Sequence, residues 1–126
     1  MDLRKTTRYN LYDFERRLPD EGYIHCRFDF DPNLNGMVVD LGLGGFGIEI
    51  HDLTGAQVEK FQKLDTYILT IYFGKELIMA DVQNVWNRVI FDQGKMLLKC
   101  GVAINIISPE DRLKLSGIIA KIRNSQ

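Results

Sequence analysis

The sequence is poor in several features that mark particular classes of protein. It has two cysteines, three prolines and one tryptophan among 126 residues. It has no C-x-x-C or H-E-x-x-H spacing, which argues against a zinc site. No apolar run approaches the roughly 18–20 residues of a membrane span, and the start lacks the apolar stretch of a secretory signal. We therefore expect a cytoplasmic protein without a metal site or a membrane span.

An excess of charge of one sign is also missing. The chain has 16 Lys+Arg residues against 17 Asp+Glu residues, which leaves a net charge of -1 and a pI of about 6.1. A domain that binds long nucleic acids usually has a pI above roughly 9, so we expect no DNA or RNA partner. The length suits one domain, and 45% hydrophobic residues are ordinary for a soluble globular chain.

Groups that could act as nucleophiles have simpler explanations. Ser108, Ser116 and Ser125 suit a helix cap, a helix surface and a chain end. Cys26 and Cys100 lie in alternating apolar runs and are predicted to be buried free thiols, with a disulfide between them as the alternative. We therefore expect no catalytic residues, no enzyme activity and no cofactor.

Alternation with a period of two residues dominates the chain after about residue 20. It predicts strands over residues 23–30, 37–40, 46–50, 66–73, 76–90 and 96–106. The turn-forming residues 31–36 are predicted to reverse the chain between the first two strands. The alternation slips near Gln83 and Asn84, which indicates a β-bulge.

Two segments follow helical spacing instead. Val58, Phe61 and Leu64 predict a short helix near residues 54–64. Ser108 and Pro109 resemble a capped helix start, and the apolar residues that follow recur at i, i+3, i+4 and i+7. The fold class is therefore mainly β. We expect six antiparallel strands that close into a barrel, together with a C-terminal α-helix.

Residues 42–47 match the pattern G-x-G-x-x-G. A dinucleotide site needs a helix after the third glycine, and the sequence continues with the alternation of a strand. One explanation is a strained corner between strands, where glycine supplies positive φ. That explanation leaves Asp40, at the start of the corner, unaccounted for.

Two motifs, taken together, resemble the PilZ domain family of bacterial cyclic di-GMP receptors. The first is Arg4-Lys5-Thr6-Thr7-Arg8, which matches R-x-x-x-R ahead of the barrel. The second is the segment from Asp40 to Gly45, which matches D/N-x-S-x-x-G with Gly42 in place of the serine. The resemblance implies a PilZ-like split barrel over residues 21–126, preceded by a flexible segment, residues 1–20, that carries the arginines.

The resemblance also implies a binding site for cyclic di-GMP. Its predicted residues are Arg4, Lys5, Arg8, Asp40, Gly42, Gly45 and Trp86. Arginine can bind guanine or phosphate in a bidentate manner, aspartate can accept guanine N–H groups, and tryptophan can stack on a base. The missing serine hydroxyl costs about 0.5–1.5 kcal/mol, so we expect weakened binding.

Several alternatives stay open at this stage. Trp86 could fill the core, Asp40 could merely form a turn, and Arg16 and Arg17 could supply the arginine motif. The leading hypothesis is a non-enzymatic adaptor that binds cyclic di-GMP and relays it to an effector protein, in motility, polysaccharide production or similar surface behaviour. Its rival is a PilZ-like protein-interaction module that has lost nucleotide binding. A small barrel for single-stranded nucleic acid is a more remote hypothesis.

Overall fold

A computed structural model describes residues 9–10 and 24–125 of the chain, and these residues form seven strands and two helices. The strands are β1 (Tyr9–Asn10), β2 (His25–Phe28), β3 (Asp31–Gly42), β4 (Gly45–Leu53), β5 (Thr66–Phe73), β6 (Glu76–Asp92) and β7 (Lys95–Ile107). The helices are α1 (Gly55–Gln62), between β4 and β5, and α2 (Pro109–Ser125), after β7.

Six of the strands close into an antiparallel barrel. The order around it is β3-β2-β5-β6-β7-β4, and β4 pairs again with β3. The predicted mainly-β fold with a closed six-stranded barrel and a C-terminal helix is therefore confirmed. Closure satisfies the hydrogen bonds of strand edges that would otherwise stay open.

Apolar side chains from every barrel strand fill the interior. Those with at most 1% exposure include Ile24, Phe46, Ile48, Leu69, Ile78 and Leu98. The Phe61 ring of α1 lies 5.7–6.1 Å from the rings of Phe28, Phe30 and Tyr67, centroid to centroid, and this cluster closes one end of the barrel. At the other end, Leu115 and Ile118 of α2 line a small cavity together with residues of the barrel core.

Both predicted helices are confirmed, and local sequence explains where each begins. Thr54 and Gln57 form a capping box at the start of α1. The Ser108 hydroxyl accepts a hydrogen bond from the Asp111 backbone N–H at 3.1 Å, at the start of α2. Within residues 9–10 and 24–125, neither helix is long and apolar enough to cross a bilayer.

The predicted turn over residues 31–36 is wrong. The chain reverses at residues 29–30, between the end of β2 at Phe28 and the start of β3 at Asp31. The turn-forming residues instead make a bulge, since Arg27 pairs with Asn35 while Phe28 pairs with Asp31. Asp31 Oδ1 accepts the Asn33 N–H at 3.0 Å inside this bulge. The same side-chain chemistry that favours turns therefore serves an irregular strand here.

The bulge predicted in the long strand β6 is confirmed. The register with β7 shifts between Asp81 and Val82 and again between Asn84 and Trp86. The second shift skips Val85 and so changes which face of the barrel the following residues of β6 occupy.

The predicted N-terminal segment, residues 1–20, is described at two residues. Tyr9 pairs with Leu41 and Asn10 pairs with Asp40, so β1 adds to the outer edge of β3. Residues 1–8, with Arg4, Lys5 and Arg8, and residues 11–23, with the Arg16-Arg17 pair, lie outside the described residues. The flexibility of the segment and the domain boundary at residue 21 stay predictions.

Candidate functional site

Asp40 lies within β3 and extends over the neighbouring strand. Its Cα partner on β4 is Gly47, whose sequence neighbours Phe46 and Ile48 point into the core. Gly47 therefore faces outward. A Cβ placed on Gly47 would overlap the Asp40 carboxylate, whose Cγ lies 2.7 Å from that position. The carboxylate thus covers bare backbone on the outside of the barrel, and a simple turn-forming role for Asp40 is excluded.

Trp86 lies over a second glycine. Its partner on β7 is Gly101, and a Cβ placed on Gly101 would overlap the indole, with Cε2 2.8 Å from that position. The Trp86 side chain is 49% exposed, so it does not fill the core. Because Gly101 has no side chain, the five-membered ring of the indole can lie close to the backbone of β7.

The two glycines are themselves direct neighbours, since Gly47 on β4 pairs with Gly101 on β7. Across the neighbouring strands β3, β4, β7 and β6, the outer face therefore carries Asp40, Gly47, Gly101 and Trp86, in that order. Adjacent strands are about 4.8 Å apart. We call Gly47 and Gly101 the glycine platform, over which the carboxylate extends from one side and the indole from the other. This combination can accept N–H groups from the edge of a planar ring and stack on its face.

Gly45 and Gly42, which were predicted to contact ligand, are buried. A Cβ on Gly45 would meet the Val102 carbonyl oxygen of β7, so the close approach of β7 accounts for glycine there. Of the described glycines, Gly74 and Gly94 have positive φ, whereas those from 42 to 47 do not. The strained corner with positive φ is therefore wrong, and Gly45 and Gly47 instead make room for a neighbouring strand and a neighbouring side chain.

No protein-family model matches the sequence, and no curated protein shows significant similarity to it. The structure is similar to that of the PilZ domain of YcgR from Escherichia coli with cyclic di-GMP. That match has a TM-score of 0.64 and 16% identity, and it covers 95% of this chain and 91% of that one. The chain has the PilZ-domain fold.

A second similar structure supports this assignment of a PilZ fold. It is the Borreliella burgdorferi PlzA protein in complex with cyclic di-GMP, with a TM-score of 0.56 and 10% identity. The match covers 96% of this chain and 52% of the PlzA chain, so this chain corresponds to about half of that protein.

Within this PilZ fold, Asp40 and Trp86 are the predicted site residues that the structure brings together. The sequence analysis missed Gly47 and Gly101. A signal for them exists, because an isolated glycine in a strand pattern often marks a place where another group approaches the backbone closely. The partner that approaches each one depends on the register, which the pattern does not contain.

The two thiols lie inside the barrel, away from the platform. Cys26 and Cys100 are free and buried, as predicted. Burial raises the pKa of Cys100 to about 12, although a hydrogen bond with the Tyr67 hydroxyl partly opposes the shift. Burial, reinforced by Cys100, raises the pKa of Cys26 still further above its ordinary value. Both are neutral at ordinary pH and act as small core residues.

Proposed function

We propose that the chain is a receptor for cyclic di-GMP and binds it on the glycine platform. The observation that carries this proposal is the Gly47–Gly101 pair, which lets the Asp40 carboxylate and the Trp86 indole lie close to the sheet side by side. Both similar PilZ structures contain cyclic di-GMP, which supports the same class of ligand here.

The chemistry of the platform suits a guanine base. Guanine carries amide and amino N–H groups on one edge, and the Asp40 carboxylate is an acceptor placed beside the bare backbone. The exposed Trp86 face offers stacking, which is worth roughly 1–3 kcal/mol per base. Gly47 and Gly101 contribute the absence of side chains, because a Cβ there would push the Asp40 carboxylate or the Trp86 indole out of position.

The phosphates of the ligand call for cations, and Arg4, Lys5 and Arg8 are our candidates. Arg8 directly precedes Tyr9, whose Cα partner is Leu41, the neighbour of Asp40. Gly42 lacks the serine hydroxyl of the PilZ motif, and we expect binding to be weaker by a factor of roughly 2–10.

Calorimetric titration with cyclic di-GMP tests the proposal. The wild-type protein should bind, and Asp40→Ala should lower the affinity about 10-fold or more, since hydrogen bonds to a charged group are worth about 1.5–3 kcal/mol. Trp86→Ala should lower it by a factor of about 5–150 through lost stacking. Arg8→Ala tests the N-terminal cations in the same way.

Matched controls separate the platform from general surface changes. Glu76→Ala removes an exposed carboxylate at the β5–β6 turn, and Phe91→Ala removes an aromatic side chain that is 76% exposed near the end of β6. Both should bind cyclic di-GMP like the wild type. Equal affinities for Asp40→Ala and Glu76→Ala would overturn the assignment of the site.

The replacement of serine by Gly42 favours a second candidate, a PilZ-like module that has lost nucleotide binding and acts through protein contacts. The same titration decides between the two, because this candidate requires no heat even at high micromolar cyclic di-GMP. In either case we propose a non-enzymatic adaptor that acts on an effector protein.

A further inference from the structure

A pair of cations lies beside the glycine platform. Arg88 of β6 pairs with Lys99 of β7, two residues along each strand from the pair formed by Trp86 and Gly101. Residues i and i+2 share one face of a strand, about 7 Å apart. Arg88 and Lys99 therefore stand on the same outer face as the indole.

One acidic residue lies beside this pair in the register, and neither cation forms an ion pair with it. Within residues 24–125, no acidic side chain forms an ion pair with Arg88 or Lys99. The nearest acid in the register is Glu49, opposite Lys99 on β4. Glu49 shares the outer face with Lys99, but its side chain is 7% exposed, its Oε1 lies 3.4 Å from His51 Nε2, and it forms no ion pair with Lys99.

The cations are also open to a ligand. Pairing between β5 and β6 ends at Thr66 and Gln83, so around Arg88 the strand β6 has β7 on one side and no barrel strand on the other. Arg88 is exposed and Lys99 is half-buried. Like charges directly opposite each other destabilise a sheet unless a counterion joins them. This arrangement suits an anion on the surface between the two side chains.

We propose that Arg88 and Lys99 form a second phosphate contact of the cyclic di-GMP site, next to the base stacked on Trp86. The inference rests on the proposed function. Arginine donates to phosphate in a bidentate manner and lysine acts as a point charge, so each adds a charge-assisted contact. The pair lies on the Trp86 side of the platform, whereas Asp40 and the end of β1 lie on the other side.

Titration of Arg88→Gln, Lys99→Gln and the double variant with cyclic di-GMP tests this inference. Each single change should weaken binding about 10-fold, and the double variant more. Raising the salt from 50 to 500 mM should weaken wild-type binding more than binding by the double variant, because screening acts on the removed charges. The control is the double variant Lys75→Gln, Arg112→Gln, which removes two exposed cations elsewhere and should bind like the wild type.

One further measurement keeps the outcome clear. The unliganded double variant should melt at or above the wild-type temperature, because a like-charge pair has been removed, and this excludes misfolding as the cause of weaker binding. If the wild type binds cyclic di-GMP and the double variant matches it in affinity and salt response, the inference is wrong and the proposed function stands. If the wild type does not bind, both are wrong.

Discussion

The inner and outer faces of β4 and β7 differ sharply in composition. On the inside, Phe46 and Ile48 of β4 and Leu98 and Val102 of β7 are at most 1% exposed. On the outside, the central positions of the same strands are the glycines of the platform. The inner face carries large apolar side chains that fill the barrel, whereas the outer face has no side chains at its centre.

This difference separates stability from the candidate function within single strands. Substitutions on the inner face should change the free energy of unfolding, because packed interiors tolerate little change in volume. Substitutions on the platform should mainly change what can lie on it. Three experiments test that separation, beginning with the largest expected effect.

Raising the pH should destabilise the fold through the inner face. Burial raises the pKa of Cys100 to about 12 and that of Cys26 above its ordinary value, whereas an unfolded thiol titrates near about 8.5. The native state therefore keeps protons that the unfolded state loses. This contribution is fully present below about pH 8.5 and is lost as pH rises toward the folded pKa values. Each thiol should cost about 2 kcal/mol by pH 10.

Urea unfolding between pH 7.5 and 10 measures this loss. The matched control is the double variant Cys26→Ala, Cys100→Ala, in which the fall in the free energy of unfolding should be much shallower. An equally steep fall in that variant would assign the pH response to other groups.

Gly45→Ala should lower the free energy of unfolding as an inner-face substitution would, although Gly45 lies at an outward-facing position of β4. A Cβ there meets the Val102 carbonyl oxygen, which is backbone and can move only with β7. We expect a loss of about 1–3 kcal/mol in the free energy of unfolding. Gly117→Ala is the control, because no atom lies within 4 Å of its Cβ position on α2, and it should gain about 0.5–1 kcal/mol. A neutral Gly45→Ala would contradict the tight β4–β7 contact.

Gly101→Ala should have the smallest effect on stability and a clear effect on the site. Its Cβ displaces the Trp86 indole, a surface side chain that can rotate away, so we expect a loss below about 1 kcal/mol. Because the chain has one tryptophan, its fluorescence reports this directly. Emission should shift to longer wavelength with stronger acrylamide quenching. The control Gly55→Ala should leave the emission unchanged. Unchanged emission in Gly101→Ala would show that the indole does not lie on the platform.

Much of the fold could be predicted because its signals are local. The alternation of apolar residues predicted most strands, and the Ser108 cap and the slip near Asn84 were confirmed. The failure at residues 31–36 has a physical reason, since aspartate and asparagine satisfy backbone groups equally well in a turn and in a bulge. Only the pairing partner distinguishes the two.

The candidate site was predictable in part. Asp40 and Trp86 were singled out through the PilZ resemblance, whereas Gly47, Gly101, Arg88 and Lys99 were not. The role of each of these four residues depends on its cross-strand partner, and the register of the sheet sets which residues are partners. The bulges near Val38 and Asn84 shift that register in ways that alternation does not specify.

The sequence by itself determined the elements of this protein, because period, caps and turn residues act over a few neighbouring positions. It also determined that one face of each central strand would be buried. Only the tertiary structure decided that Asp40 and Trp86, far apart in the chain, would meet across two paired glycines. Barrel closure and two bulges set that meeting, since they fix the strand order and register on which every cross-strand contact depends.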